Sequence, residues 1–144
     1  MIEIRLTKAA DNAFVHLLHN RHFSEWTFLE YCKFLQQRRN RAYLVEYFGE
    51  PAGILFVKLS HDALTICKVA ISDHYQRQRI ATDAIGLALR KHSKRLIRAV
   101  IAGDPTVEAQ DFLRSLGMRL KLVEGKPKDR YWVFEGQNKE RAKR

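Results

Sequence analysis

A change of periodicity between Leu64 and Leu89 constrains this chain more than any other feature. Leu64–Ile71 is dominated by β-branched and apolar residues, the composition of a mostly buried strand. Ser72–Arg79 is a polar, basic turn. From Ile80 the period switches, and Ala81, Ala84, Ile85 and Ala88 recur at i, i+3, i+4 and i+7, the apolar stripe of a helix. A strand that passes through a basic loop into a helix aims free backbone N–H groups at whatever precedes the first turn. The helix dipole then favours negative charge there. Gln76, Arg77, Gln78 and Arg79 add side-chain donors at the same place. The unit predicts an anion site.

Elements on either side fit one α/β domain around it. Ile2, Ile4 and Leu6 alternate with Glu3 and Arg5 as a half-buried first strand. Asp11 is placed to cap a helix whose apolar face is Phe14, Leu17 and Leu18. Thr27 and Glu30 form a capping box for a second helix, with Phe28, Tyr31, Cys32 and Leu35 as its stripe. Arg38, Arg39 and Arg41 put positive charge where that helix's dipole wants it. Ala42–Phe48 and Gly53–Leu59, joined by the turn chemistry of Gly49-Glu50-Pro51, predict an antiparallel hairpin.

After the central helix, Leu96–Ala102 is a short buried-type strand. One crossover separates it from the strand at Leu64, so the two should lie parallel with a right-handed connection. Asp104-Pro105 is placed to open a further helix with Ala109, Phe112, Leu113 and Leu116 as its stripe, and Gly117 ends it. Met118, Leu120 and Leu122 alternate as a strand, and Tyr131–Phe134 is the last one. The order is βααβββαβαββ. It predicts an α/β (α+β) single domain over residues 1–136, with a mixed, mostly antiparallel sheet, a central parallel pair and helices on both faces. Residues 137–144 are polar and charged with nothing to bury, and are expected to form a disordered basic tail.

Charge narrows the partners. The net charge of +10, with a pI near 9.9, points to an anionic partner: a phosphate-rich cofactor, nucleic acid or an acidic protein. No aromatic-rich basic groove of the single-strand-binding kind is evident, because the aromatics fall on apolar stripes. Cys32 and Cys67 lie in apolar segments without metal or redox spacing, so both are expected to be buried free thiols. His16, His19 and His22 are three residues apart, but such steps spread the rings over about 120° of a helix. No carboxylate or cysteine completes a set there, so no metal is expected. With no membrane-length apolar run and no signal-like N-terminus, the expected location is cytoplasmic.

Val69-Ala70-Ile71-Ser72-Asp73-His74-Tyr75-Gln76-Arg77-Gln78-Arg79-Ile80-Ala81 resembles the acetyl-CoA motif of the GNAT superfamily of N-acetyltransferases. That motif is a hydrophobic strand, a short turn with an aromatic residue, then Gln/Arg-x-x-Gly-x-Gly/Ala opening a helix. Gln76 and Ala81 match its first and last positions, and Arg79 stands where glycine is usual. Ile2-x-Ile4-Arg5 followed by Asp11, and Thr106-x-x-Ala109-x-x-Phe112-Leu113-x-x-x-Gly117-Met118, are similar to two further family segments. Agreement in three places extends the resemblance over Ile2–Glu135.

The resemblance implies transfer of an acetyl group from acetyl-CoA to a primary amine on a small molecule or protein. The alternative it leaves is a catalytically impaired domain that binds an acidic partner or nucleic acid through its basic surface. It implies that the backbone of Val69, Ala70 and Ile71 pairs with the pantetheine arm and meets the thioester oxygen. Gln76, Arg77, Gln78, Arg79, Ile80, Ala81 and Thr82 would take the pyrophosphate. An arginine at position 79 is expected to fit only with negative φ and its side chain swung outward. The family's catalytic tyrosine, asparagine and glutamate are matched by Leu113, Thr106 and Thr65. Replacement candidates are Tyr131 as acid and Glu46, His74 or His61 as base.

Overall fold

A computed structural model of the chain describes residues 1–76 and 79–140. Its elements, in order, are β1 (Ile2–Leu6), α1 (Asn12–His22), α2 (Phe28–Gln36), β2 (Asn40–Tyr47), β3 (Glu50–Leu59) and β4 (Ala63–Ile71). They continue with α3 (Ile80–His92), β5 (Leu96–Ala102), α4 (Val107–Ser115), β6 (Arg119–Glu124) and β7 (Tyr131–Gln137). The strands form one seven-stranded sheet in the order β1-β2-β3-β4-β5-β7-β6. Every pairing is antiparallel except β4 with β5. This is the α/β architecture and the single parallel pair that the sequence predicts.

The central strands are apolar on both sides because both sides are covered. On one face Val45, Leu55, Val57, Leu64, Ile66, Ile97 and Phe134 pack with Ile80, Ala84, Ile85 and Ala88 of α3 and Leu113 of α4. On the other, Ala42, Ile54, Phe56 and Ala70 pack with Val15 and Leu18 of α1 and Tyr31 of α2. Residues of β4 thus belong to both cores, Leu64 and Ile66 to one and Ala70 to the other.

Several local expectations give way to other partners. Asp11 does not cap α1. Its carboxylate accepts from the backbone N–H of Lys8 at 2.7 Å and takes the two-pronged Arg5 guanidinium at 2.8 and 3.0 Å, closing the short 3-10 turn before the helix. The Thr27–Glu30 capping box forms as expected. Thr106, not Asp104, caps α4, its hydroxyl accepting from the N–H of Ala109 at 3.1 Å. Asp104 instead accepts from the indole N–H of Trp132 at 3.2 Å.

The expected tail at residue 137 begins too early. Gln137 belongs to β7, and Asn138 is buried, donating from Nδ2 to the carbonyls of Leu89 (3.2 Å) and Lys94 (2.7 Å). Asn138 therefore ties the end of β7 to the end of α3. Residues 141–144 of the expected tail lie outside the described residues. The cysteines also differ from expectation: Cys32 is half-buried and Cys67 exposed, both as free thiols.

Candidate active site

The site is built where β4 parts from β5. The β4–β5 ladder runs from Ala63↔Leu96 to Ile66↔Ala99, although both strands continue beyond it. The cause lies at Cys67. Against β3 the register passes from Val57↔Ile66 to Phe56↔Lys68, so Cys67 is the extra residue of a β-bulge. A bulge bends and twists its strand, and here the strand turns away from its parallel neighbour immediately afterwards. Val69, Ala70 and Ile71 remain paired to Leu55, Ile54 and Gly53 of β3 and turn their other edge to the gap. Gly53 is needed for this. A Cβ there would come within 2.6 Å of the Ala70 carbonyl oxygen and of Ile71 Cδ1.

A cleft of about 540 Å³ occupies the gap. Its walls include Val69, Ala70, Ile71, Gln76, Arg79, Ile80, Ala81 and Thr82, so one opening gathers every described residue expected to touch the cofactor. Arg77 and Gln78 lie outside the described residues. Gln76 turns its side chain back on the loop, donating to the carbonyl of Ile71 at 3.1 Å.

Arg79 is the N-cap of α3 at φ +57° and ψ +21°. This overturns the expectation of a negative φ: the arginine adopts the left-handed conformation that glycine supplies freely, at a cost of about 1–2 kcal/mol for an L-residue. The chain turns into the helix there without a side-chain cap, and the first intrahelical bond is Asp83 N–H to Arg79 C=O at 3.0 Å. The N–H groups of Ile80, Ala81 and Thr82 consequently face the cleft end with no helical acceptor.

Five wall residues were not assigned to the site from the sequence: His22, Tyr75, Glu108, Ala109 and Phe112. Glu108 and Phe112 follow from the turn of α4 that Thr106 starts. His22 comes from the last turn of α1, which Arg21 fastens to the loop after β4 through an ion pair with Asp73. A histidine at a helix end carries no sequence signal of such a long-range contact.

The candidates for acid–base work are not brought together. Tyr131, at the start of β7, donates its hydroxyl to Glu124 at 2.5 Å, and that bond raises its pKa above the usual tyrosine value. Glu46 lies on β2 within 3.4 Å of Arg5, two strands from β4. His74 is exposed in the 3-10 turn after β4, facing a groove with Phe14, Leu17 and Leu18. His61 sits before β4, at the end opposite Ile71. None of the four lines the cleft. Leu113 is buried in the core against α3.

This geometry suits an extended amide-containing ligand with a phosphate group at one end. The unpaired edge of Val69–Ile71 offers strand-like hydrogen bonds, Ile71, Ile80 and Phe112 supply apolar wall, and the helix start and Arg79 supply donors and charge. The volume falls within the range of small-ligand sites. Among the described residues no cluster of three potential metal ligands occurs.

Comparison with known proteins gives the family and the fold. The acetyltransferase (GNAT) family model matches residues 10–118. The chain belongs to the GNAT acetyltransferase family. Its fold is similar to the ribosomal-protein-S18-alanine N-acetyltransferase of Escherichia coli, with a TM-score of 0.76 and 16% identity over 95% of this chain and 94% of that one. It is also similar to an acetyltransferase from Thermus thermophilus, with a TM-score of 0.73 and 18% identity over 95% and 97% of the two chains. A GNAT family acetyltransferase from Elizabethkingia anophelis, solved with acetyl-CoA bound, gives a TM-score of 0.68 and 13% identity over 94% and 97%. A search of curated protein sequences gave no match. At these identities the structures speak for the fold of this GNAT domain, and its chemistry rests on its own residues. No helix among the described residues is long and apolar enough to cross a membrane.

Proposed function

We propose that this GNAT domain is an N-acetyltransferase that binds acetyl-CoA in the β4–β5 cleft and transfers its acetyl group to a primary amine. The observation that carries the reading is the parting of β4 from β5 after Ile66, directly above the uncapped start of α3. Val69–Ile71 offers its free edge to the amide groups of the donor's arm. Backbone N–H groups of that stretch would polarise the thioester carbonyl, a role that needs no particular side chain. Ile80–Thr82 N–H groups and the Arg79 guanidinium hold the phosphates. Acetyl-CoA supplies the activated acyl group. The chain supplies position, which by itself accounts for a large part of a bimolecular barrier.

The family's usual acid and base positions are occupied by Leu113 and Thr65, so transfer here relies on that positioning and on an amine delivered neutral. The test is release of free CoA thiol from acetyl-CoA in the presence of a panel of amines: peptides with free N-termini, lysine side-chain models and polyamines. Thiol release that requires one class of amine supports the reading. Thiol release no faster with any amine than without protein refutes it.

A further inference from the structure

Lys68 is the one strongly basic side chain of β4 that the donor-site reading leaves without a task. It follows the bulge at Cys67 and precedes Val69, so its Cα lies about 3.8 Å from that of Val69. It shares a sheet face with Ala70, the face of α1, where its Nζ lies 2.6 Å from His19 Nε2. The ammonium sits over Trp26 at 4.1 Å and Phe23 at 5.4 Å from the ring centroids. Among the described residues no carboxylate comes within ion-pair distance of it.

His19 is fully buried, and its Nδ1 lies 3.0 Å from Asn20 Oδ1. That oxygen is fixed as the acceptor because it also takes the backbone N–H of Trp26 at 2.8 Å. The imidazole therefore keeps its proton on Nδ1 and turns the Nε2 lone pair to Lys68. His22, one helical turn further on, lines the cleft. Lys68 and His19 do not line the cleft themselves; their neighbours Val69 on β4 and His22 on α1 do, so the pair lies one residue and one helical turn from its wall.

We propose that Lys68 is an acetyl acceptor within its own chain, modified by acetyl-CoA bound in the β4–β5 cleft. The proposal rests on the donor-site reading above. Lys68 gives one proton to His19 Nε2, and its flexible four-carbon stem swings the neutral nitrogen from the Trp26 face to the strand edge. Nζ attacks the thioester carbonyl carbon, the C–N bond forms and the C–S bond breaks. The second nitrogen proton leaves on the sulfur of free CoA, and His19 returns its proton to water. Burial already favours the neutral amine by pushing the Lys68 pKa below the usual lysine value, against the opposing pull of Cys67 and Glu30.

The test incubates the full chain with acetyl-CoA and follows each lysine by peptide mass spectrometry, with acetyl-CoA binding measured in parallel by calorimetry. Lys68 is expected to gain one acetyl group at least about tenfold faster than exposed Lys126, Lys128 and Lys139, a preference worth about 1.4 kcal/mol of barrier. The rate per molecule should not depend on protein concentration, and His19→Gln should slow it while acetyl-CoA affinity holds. Acetyl-CoA binding with Lys68 modified no faster than the exposed lysines overturns the proposal and leaves the donor-site reading standing. A rate proportional to protein concentration overturns it as an event within one chain. Absence of acetyl-CoA binding overturns both.

Discussion

His92, the last residue of α3, places Nε2 2.5 Å from the hydroxyl of buried Tyr43 on β2. Burial, then the nearby charges of Arg41, Lys91 and Lys94, hold the His92 pKa below the ordinary histidine value, and burial does the same to His19. Both rings are therefore neutral in the native state near neutral pH.

The sign of the pH dependence follows. In the unfolded chain each histidine titrates near about 6.5. Below that pH the unfolded state binds more protons than the native one, so stability falls as the pH falls. The slope is at most about 1.4 kcal/mol per pH unit for each histidine. Urea unfolding should give a stability that declines from about pH 7.5 toward pH 5, with a shallower decline in His92→Gln. A flat profile across that window would contradict the assignment.

Arg5 and Asp11 hold β1 to the turn before α1. Asp11 has a side chain only 10% exposed and accepts from both Arg5 and the Lys8 N–H. Asp11→Ala removes hydrogen bonds to a charged group and should cost about 1.5–3 kcal/mol at neutral pH, read as a lower urea midpoint with an unchanged slope. The Arg5 hydrogen bond, first among the causes, lowers the Asp11 pKa, so this contribution is present above the ordinary carboxylate range and is lost as the pH falls through the native value.

The strand–loop–helix unit, the parallel pair and the presence of the four α-helices were legible because each follows from a local period. Less was legible where a tertiary contact takes a residue from its local role. Asp11 prefers Arg5 to the helix it precedes, and Asn138 leaves a polar tail to bond two carbonyls of another element. Arg79 is the sharpest case. Its sequence argues for an outward loop residue with ordinary backbone, yet the turn into α3 demands positive φ whatever the side chain. The cleft walls contributed by β4 and α3 could be read from their motif, while His22 and Glu108 depend on how α1 and α4 end and begin.

Arg79→Gly separates strain from charge. Glycine relieves the left-handed conformation but gains freedom in the unfolded chain, worth about 0.5–1 kcal/mol in the opposite sense. Stability should stay the same or rise by up to about 1 kcal/mol, whereas Arg79→Val, a β-branched residue at φ +57°, should lower it. Acetyl-CoA affinity should drop in both variants through loss of the guanidinium, by about 1.5–3 kcal/mol. Melting temperatures and calorimetric affinities read the two effects apart.

Gly53→Ala tests the strand that forms the cleft floor. The added methyl meets Ala70 backbone, which cannot yield without moving the end of β4. Overpacking of this kind costs about 1–3 kcal/mol. Acetyl-CoA affinity should fall along with stability, in contrast to Asp11→Ala, which lies away from the cleft and should leave affinity intact. Equal affinities for wild type and Gly53→Ala would mean that the end of β4 does not contact the donor.

The central claim is that the gap between β4 and β5 holds acetyl-CoA, and calorimetric titration of the full chain with acetyl-CoA tests it most directly. One saturable site per chain is predicted, weakened by added salt because phosphate contacts at Arg79 and the start of α3 are charged, and weakened again in Arg79→Ala. No heat of binding at millimolar acetyl-CoA, or a site indifferent to both salt and Arg79→Ala, would contradict it.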